Sequence, residues 1–194
     1  MLNHQGEPAA TKDRALPVGV AAAALADVPI FSNLSTKERE QLASVAHTER
    51  YATGDMIFRE GGRDARLCVV LSGQCEVICH PAHDGAASPL RLAVLERNDS
   101  FGEMSFFDRA PHSADVRAAS PVELLCIDSA EFDRLTEAGS TAACKLALGS
   151  VRTLAERLRR MDHWVAQLAG AETRRVRVDE WNNFRKQLQG IWKA

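Results

Sequence analysis

The sequence predicts a mainly β chain, a barrel or jelly roll of short strands with α-helical extensions at both ends. Two observations place the strands. Short apolar or β-branched segments recur between residues 50 and 127, and Gly54-Asp55, Glu60-Gly61-Gly62, Ser72-Gly73 and Asn98-Asp99 punctuate them. Many short strands with turn signals between them suit a closed or two-layered antiparallel architecture. A third observation places the helices: a capping pattern stands before the strands and a sustained heptad pattern after them.

In chain order, residues 1–17 hold two prolines, a glycine and mixed polar residues without periodicity, which predicts a disordered tail. An Ala-rich stretch over 20–26 is a helix candidate that ends near Pro29. Ser35-Thr36-Lys37-Glu38 is a capping box opening a helix through about Ala46, with Leu34, Leu42 and Val45 turned inward. Strands are expected at 50–53, 56–59, 66–71, 74–80, 90–95, 113–118 and 122–127, all within a domain that spans 18–140. Ser129 is expected to cap a short helix, with Glu131 and Asp133 near its first turn.

The longest helical pattern covers 141–170. Heptads with Cys144, Val151, Leu158 and Val165 at a put Ala147, Leu154, Met161 and Leu168 at d, so every seam position is small or apolar. A helix packed on its own barrel needs the same stripe; the regularity over four heptads favours a homodimer seam. Residues 171–194 read as a basic connector, Arg174-Arg175-Val176-Arg177, and a short amphipathic helix carrying Trp181, Phe184, Leu188 and Trp192. A cap on the barrel or the dimer helix is the favoured role, with partner docking next.

Composition excludes several classes. The chain has 194 residues, 45% hydrophobic and 26% charged, with a net charge of −2, which argues against a surface devoted to nucleic acid. No apolar run approaches membrane-spanning length, and no strongly basic start precedes the apolar 18–26 stretch, so neither a span nor a signal peptide is expected. Cys68, Cys75, Cys79, Cys126 and Cys144 are odd in number and scattered, which favours reduced buried thiols in a cytoplasmic protein. His80 and His83 lie in a Gly/Pro-rich loop without a placeable third ligand, so surface histidines are expected there and no metal.

The stretch that carries chemistry is FGEMSFFDRAPHSADVRAA, from Phe101 to Ala119. It predicts a strand end, one helical turn and a return strand. The opening of such a turn gathers backbone N–H groups that suit an anion. Gly102 lets a ligand approach the backbone, and Glu103 offers an acceptor for a sugar hydroxyl. From these residues alone a polar β-corner is equally consistent.

This stretch resembles the phosphate-binding cassette of cyclic-nucleotide-binding domains, the sensor fold of bacterial catabolite activators and kinase regulatory subunits. Phe101-Gly102-Glu103 matches, and Pro111, Ser113, Ala114 and Val116 follow at the right spacing. Gly54, Gly62 and Gly73 fall at the family's turn glycines, with Cys68 replacing a core tyrosine, and the likeness covers about 28–165. It implies a cupin-like cyclic-nucleotide-binding barrel. In that family backbone amides and an arginine hold the cyclic phosphate, a glutamate holds the ribose 2′-OH, and the long helix covers the base. Carried over, Gly102, Glu103 and the Met104 amide would form the ribose and phosphate cradle, Ser113 and Ala114 would add a hydroxyl and amides, and His112 would stand where the family has its arginine. Arg109 and Arg117 are further candidates to reach the phosphate.

Histidine cannot copy the fixed, permanently charged fork of arginine. Losing one charged hydrogen bond, roughly 1.5–3 kcal/mol, predicts affinity weakened about 10- to 100-fold, with recovery as pH falls. The resemblance therefore implies a non-enzymatic sensor of cAMP or cGMP that dimerises through the long helix and signals to an unidentified protein partner. The alternative is a degenerate site on an intact scaffold, acting as a dimeric adaptor or binding another ligand such as cyclic di-GMP. The 24 residues after Gly170 are too few for the helix-turn-helix domain of catabolite activators, so DNA binding is not expected. A cupin-type enzyme would need a ligand cluster or a nucleophile–base pair, and neither is legible.

Overall fold

Strands β4 (Arg66–Ser72) and β9 (Val122–Asp128) are near-continuous apolar runs because both of their faces are covered. Leu67, Val69, Leu125 and Ile127 turn toward the helices, in one cluster with Leu25, Ile30, Phe31, Leu42, Phe106 and Leu146. Their alternate neighbours Cys68, Val70, Leu124 and Cys126 turn the other way, toward Tyr51, Phe58, Phe101 and Val116. The computed structural model describes residues 11–13, 16–80 and 89–171, with backbone alone at 11–13, 164–165 and 167–171.

Two antiparallel sheets make the barrel. One runs β1 (Thr11–Asp13), β2 (Ala46–Tyr51), β9, β4, β7 (Ser100–Phe101); the other runs β3 (Met56–Phe58), β8 (Asp115–Ala118), β5 (Cys75–Cys79), β6 (Leu90–Leu95). In register, His47 faces Cys126, Glu49 faces Leu124, and Cys68 lies opposite both Cys126 and Phe101. The jelly-roll expectation therefore holds, with the strand turns where glycines announce them.

Several boundaries move. The helix α2 (Thr36–Ala43) carries the expected capping box, Ser35 Oγ accepting from the Glu38 amide and Glu38 from the Ser35 amide, but it stops at Ala43. Strand β2 then begins at Ala46, earlier than expected, because Ala46, Thr48 and Tyr51 are buried against β9. Thr11–Asp13, placed in a tail by composition, pairs with β2 as an edge strand; backbone hydrogen bonding there needs no apolar pattern. Helix α1 (Val18–Ala24) continues as 3₁₀ turns at Leu25–Asp27 and Pro29–Phe31. Ser129 is the first residue of α4 (Ser129–Glu137) rather than its cap; Asp128 holds the cap position without a capping hydrogen bond.

Cysteine chemistry also differs from expectation. Cys68 and Cys126 form a disulfide, because the β4–β9 register sets them directly opposite with Cα atoms 4.3 Å apart. Cys75, Cys79 and Cys144 are free thiols, and burial pushes that of Cys75 up to about 12.

Helix α5 (Thr141–Ala171) opens against the N-terminal helices: Ala142, Ala143 and Leu146 are buried, and Lys145 pairs with Glu38 at 2.8 Å. The chain through Ser150 is one compact unit, and residues from Val151 belong to a second. On the helix, Val151 is 62% exposed, and Leu158 and Met161 are likewise exposed. Among the described residues no helix is long and apolar enough to cross a membrane. The side chains of Val165 and Leu168, the loop carrying His83, and the connector and amphipathic helix expected over 171–194 lie outside what is described, save the backbone of residue 171 in α5.

Candidate functional site

The cassette begins where β7 ends. Gly102 has a φ of 83°, left-handed backbone that turns the chain straight into α3 (Glu103–Asp108). A Cβ at Gly102 would lie 2.3 Å from the Arg66 carbonyl oxygen and 2.8 Å from the Phe58 ring. What this glycine relieves is thus an internal contact, a different physical reason from the ligand approach expected of it. The Phe106 amide donates to the Gly102 carbonyl, so the Met104 and Ser105 amides precede the first closed turn. At the far end Arg109 takes the left-handed C-cap conformation, and Pro111 leads toward β8.

The expected site residues fall on this stretch with contrasting exposure. Glu103 is buried, at 3% exposure, Ala114 is buried, and Met104 and Ser113 are exposed. His112 is only 6% exposed and is held on every side. Its ring stacks on Phe58, with centroids 4.1 Å apart and planes 15° apart. Its amide donates to the Gly62 carbonyl and its carbonyl accepts from the Gly61 amide, both at 2.8 Å. A Cβ at Gly62 would sit 3.5 Å from the ring and 2.9 Å from the Arg59 carbonyl oxygen, so glycine there lets the loop close over the histidine. Nδ1 is 2.9 Å from Ser105 Oγ, and Nε2 is 2.8 Å from Asp64 Oδ1.

Behind Asp64 runs a buried ionic cluster. Arg66 Nη2 donates to Asp64 at 2.6 Å, while Nη1 donates to both oxygens of Glu49. Its guanidinium carbon lies 5.2 Å from the Phe58 ring centroid. Glu49 also accepts from Tyr51 OH at 2.8 Å and lies 3.0 Å from His47 Nε2. Burial opposes charge on Glu49, but the His47 contact, the Arg66 charge and the Tyr51 hydroxyl outweigh it and hold the carboxyl at about 2. Burial likewise opposes charge on Asp64, and the hydrogen bonds from His112 and Arg66 outweigh it, again to about 2. Burial and the bond to Glu49 push Tyr51 up to about 12. Both carboxylates are therefore acceptors throughout the neutral range.

The two arginines offered as phosphate contacts are engaged elsewhere. Arg109 bonds the Phe106 carbonyl and reaches Asp133 of α4 at 2.6 and 2.8 Å; Arg117 donates to Glu76 of β5 at 2.8 Å. Phe106, Phe107 and Phe132 form an aromatic trio with centroid separations of 5.0–5.5 Å, which ties α3 to α4 a second time.

Sequence reasoning missed Ser105, Asp64, Arg66 and Glu49. One signal existed for Ser105, a hydroxyl at a position that a short amphipathic helix turns inward. None existed for Glu49, which sits between Thr48 and Arg50 in a largely polar segment. Among the described residues no cluster of three metal-ligating side chains occurs, and His80 lies 3.4 Å from Glu60.

Known proteins share this fold. The model of the cyclic nucleotide-binding domain matches residues 48–138. The regulatory subunit of a cAMP-dependent protein kinase from Debaryomyces hansenii is 34% identical over 111 residues, 57% of this chain and 23% of that protein. The solved catabolite activator protein of Thermus thermophilus is 27% identical with a TM-score of 0.64, over 73% of this chain and 63% of that one. A solved regulatory subunit of a cAMP-independent protein kinase A from Trypanosoma cruzi, bound to guanosine, is 26% identical with a TM-score of 0.52, over 58% of this chain and 39% of that one. The chain spans about a quarter of the length of the curated relative.

Proposed function

Since residues 48–138 belong to the cyclic nucleotide-binding domain family, we propose that this chain is a regulatory domain that senses a cyclic nucleotide, cAMP or cGMP, in the Gly102–Ala114 cassette and relays its occupancy to a partner protein. The observation that carries this reading is Glu103, a carboxyl side chain kept 3% exposed at the opening of α3. As a carboxylate at the opening of the turn that follows Gly102, it is an acceptor of the kind that suits a ribose hydroxyl. Met104, Ser113 and Ala114 then line the cradle. Occupancy would shift α3 between two packings, and the aromatic trio with the Arg109–Asp133 pair would carry the shift into α4. A homodimer through the α5 seam fits the same output, since Cys144, Val151, Leu158 and Met161 lie exposed at a and d positions, with Ala147 and Leu154 half-buried between them. The partner is a protein whose identity the cassette does not encode.

A second reading is favoured by one specific observation: both ring nitrogens of His112 are engaged, and Arg109 and Arg117 are bonded elsewhere. The phosphate grip is then weak, and the same cradle would suit an unphosphorylated nucleoside, as in the guanosine-bound neighbour, another ligand such as cyclic di-GMP, or no ligand on a dimeric adaptor.

Thermal melting with millimolar cAMP, cGMP, guanosine and cyclic di-GMP separates these readings. Ligand at 100 times its dissociation constant stabilises by about 2.7 kcal/mol. A shift with a cyclic nucleotide alone supports the sensor; a shift with guanosine alone supports the second reading; no shift with any of them overturns ligand sensing.

A further inference from the structure

Asp64, His112 and Ser105 form an unbroken hydrogen-bonded line from the loop before β4 into the cassette helix. Asp64 stays ionised well below pH 5, so it only accepts, and His112 Nε2 must carry a hydrogen in both charge states of the ring. The proton that comes and goes is therefore the one on Nδ1, the nitrogen 2.9 Å from Ser105 Oγ.

That assignment gives Ser105 two polarities. When the ring is neutral, Nδ1 is an acceptor, and the only hydrogen available between it and Oγ is the hydroxyl's own. Ser105 donates inward and presents lone pairs. When the ring is protonated, Nδ1–H donates to Oγ, and the hydroxyl hydrogen is released to point elsewhere. The Phe58 stack and the two backbone bonds to the Gly61-Gly62 loop hold the ring in place, so hydrogens move while heavy atoms stay. The charged groups around the ring are Asp64, then Arg66 and Glu49 behind it; Glu103 lies two residues before Ser105 on α3.

We infer that Ser105 selects the ligand chemistry of the cassette, presenting an acceptor that suits a nucleoside hydroxyl when His112 is neutral and a donor that suits a cyclic phosphodiester when His112 is protonated. This rests on the proposed function, because it takes a ribose-bearing ligand to occupy the cassette. A phosphodiester oxygen can only accept, whereas a free 3′- or 5′-hydroxyl can donate or accept, so one proton on His112 turns a mismatched contact to the phosphodiester into a matched one and leaves the nucleoside contact satisfied.

Calorimetric titration of the full chain with cAMP, cGMP, adenosine and guanosine at pH 5.5 and pH 8.0 tests it. The affinity for each cyclic nucleotide relative to its parent nucleoside should rise about tenfold on going to pH 5.5, the worth of one charge-assisted hydrogen bond. Ser105→Thr, which keeps the hydroxyl, should retain that change, and Ser105→Ala should reduce it below about threefold. A ratio that ignores pH in the wild type, or a full change retained in Ser105→Ala, overturns the inference while leaving ligand sensing intact. No binding of any of the four ligands at either pH overturns both. Nitrogen-detected NMR of the wild-type imidazole needs no substitution: hydrogen on Nε2 at pH 8.0 supports the inference, and hydrogen on Nδ1 overturns it.

Discussion

The cassette and the long helix invert the usual rule of burial in opposite directions. Around the cassette, polar groups go inside: Glu49, Glu103, Ser105 and His112 are all buried. Along α5, apolar groups stay outside, with Val151, Leu158 and Met161 exposed. A buried polar group needs partners supplied by the same chain, and Glu49 has at least three. An exposed apolar stripe at heptad spacing gains by meeting another stripe. The first region is thus saturated by its own chain, and the second leaves apolar surface that the proposed dimer would cover. The contrast teaches that one chain can hold one region by internal saturation and leave another with apolar surface uncovered.

Breaking the internal part should have the largest effect. Glu49→Ala leaves Arg66 buried against Asp64 alone, and we expect a loss of about 3–5 kcal/mol in urea unfolding, the usual cost of halving a buried pair. The pH dependence follows with a definite sign. Glu49 and Asp64 titrate at about 2 in the folded chain and near ~4 when unfolded. Below about pH 5 the unfolded chain takes up protons first, so stability present at neutral pH is lost as the pH falls toward 2. Glu49→Gln should flatten this acid limb; an unchanged limb would mean that other carboxylates set it.

Next in size is His112→Arg, expected to raise cAMP affinity about 10- to 100-fold by restoring a permanent cation beside the cradle. Titration at pH 8 measures it, and affinity equal to wild type would show that the phosphate is not held from position 112. Leu158→Glu probes the other region. Sedimentation equilibrium should show a dimer for the wild type and a monomer for the variant, while the barrel's melting temperature moves little; a variant that is still dimeric places the seam elsewhere. Arg109→Ala should be smallest. The Arg109–Asp133 pair is exposed and is worth about 0–1 kcal/mol by chemical denaturation, so a loss above ~2 kcal/mol would show that the α3–α4 tie is structural rather than relaying.

Much of the fold was legible because it depends on local signals. Turn glycines, the Ser35–Glu38 box and the helical periodicity after residue 141 each act within a few residues, and the structure returns the turns, the capped helix and the long helix nearly in place. The cassette was legible as a motif for the same reason. What stayed hidden depends on pairs brought together by register: Asp64 with His112, Glu49 with Arg66, Cys68 with Cys126. Each side chain alone looks ordinary. The first residues of β2 stayed outside the expected strand at 50–53 because His47, Glu49 and Arg50 find their partners across strands and loops. Thr11–Asp13 was hidden for another reason, since an edge strand held by backbone bonds leaves no side-chain pattern.

The place of β9 has a consequence for how the chain comes into being. It lies between β2 and β4, yet among the described residues it is the last strand in chain order. Until the ribosome reaches Val122, β2 and β4 each keep open the edge that β9 later fills. At ordinary elongation rates that interval lasts roughly several seconds, long compared with hairpin formation. The sheet is therefore closed last at its centre, and the nascent chain is most vulnerable to aggregation after its cassette has been made and before β9 has.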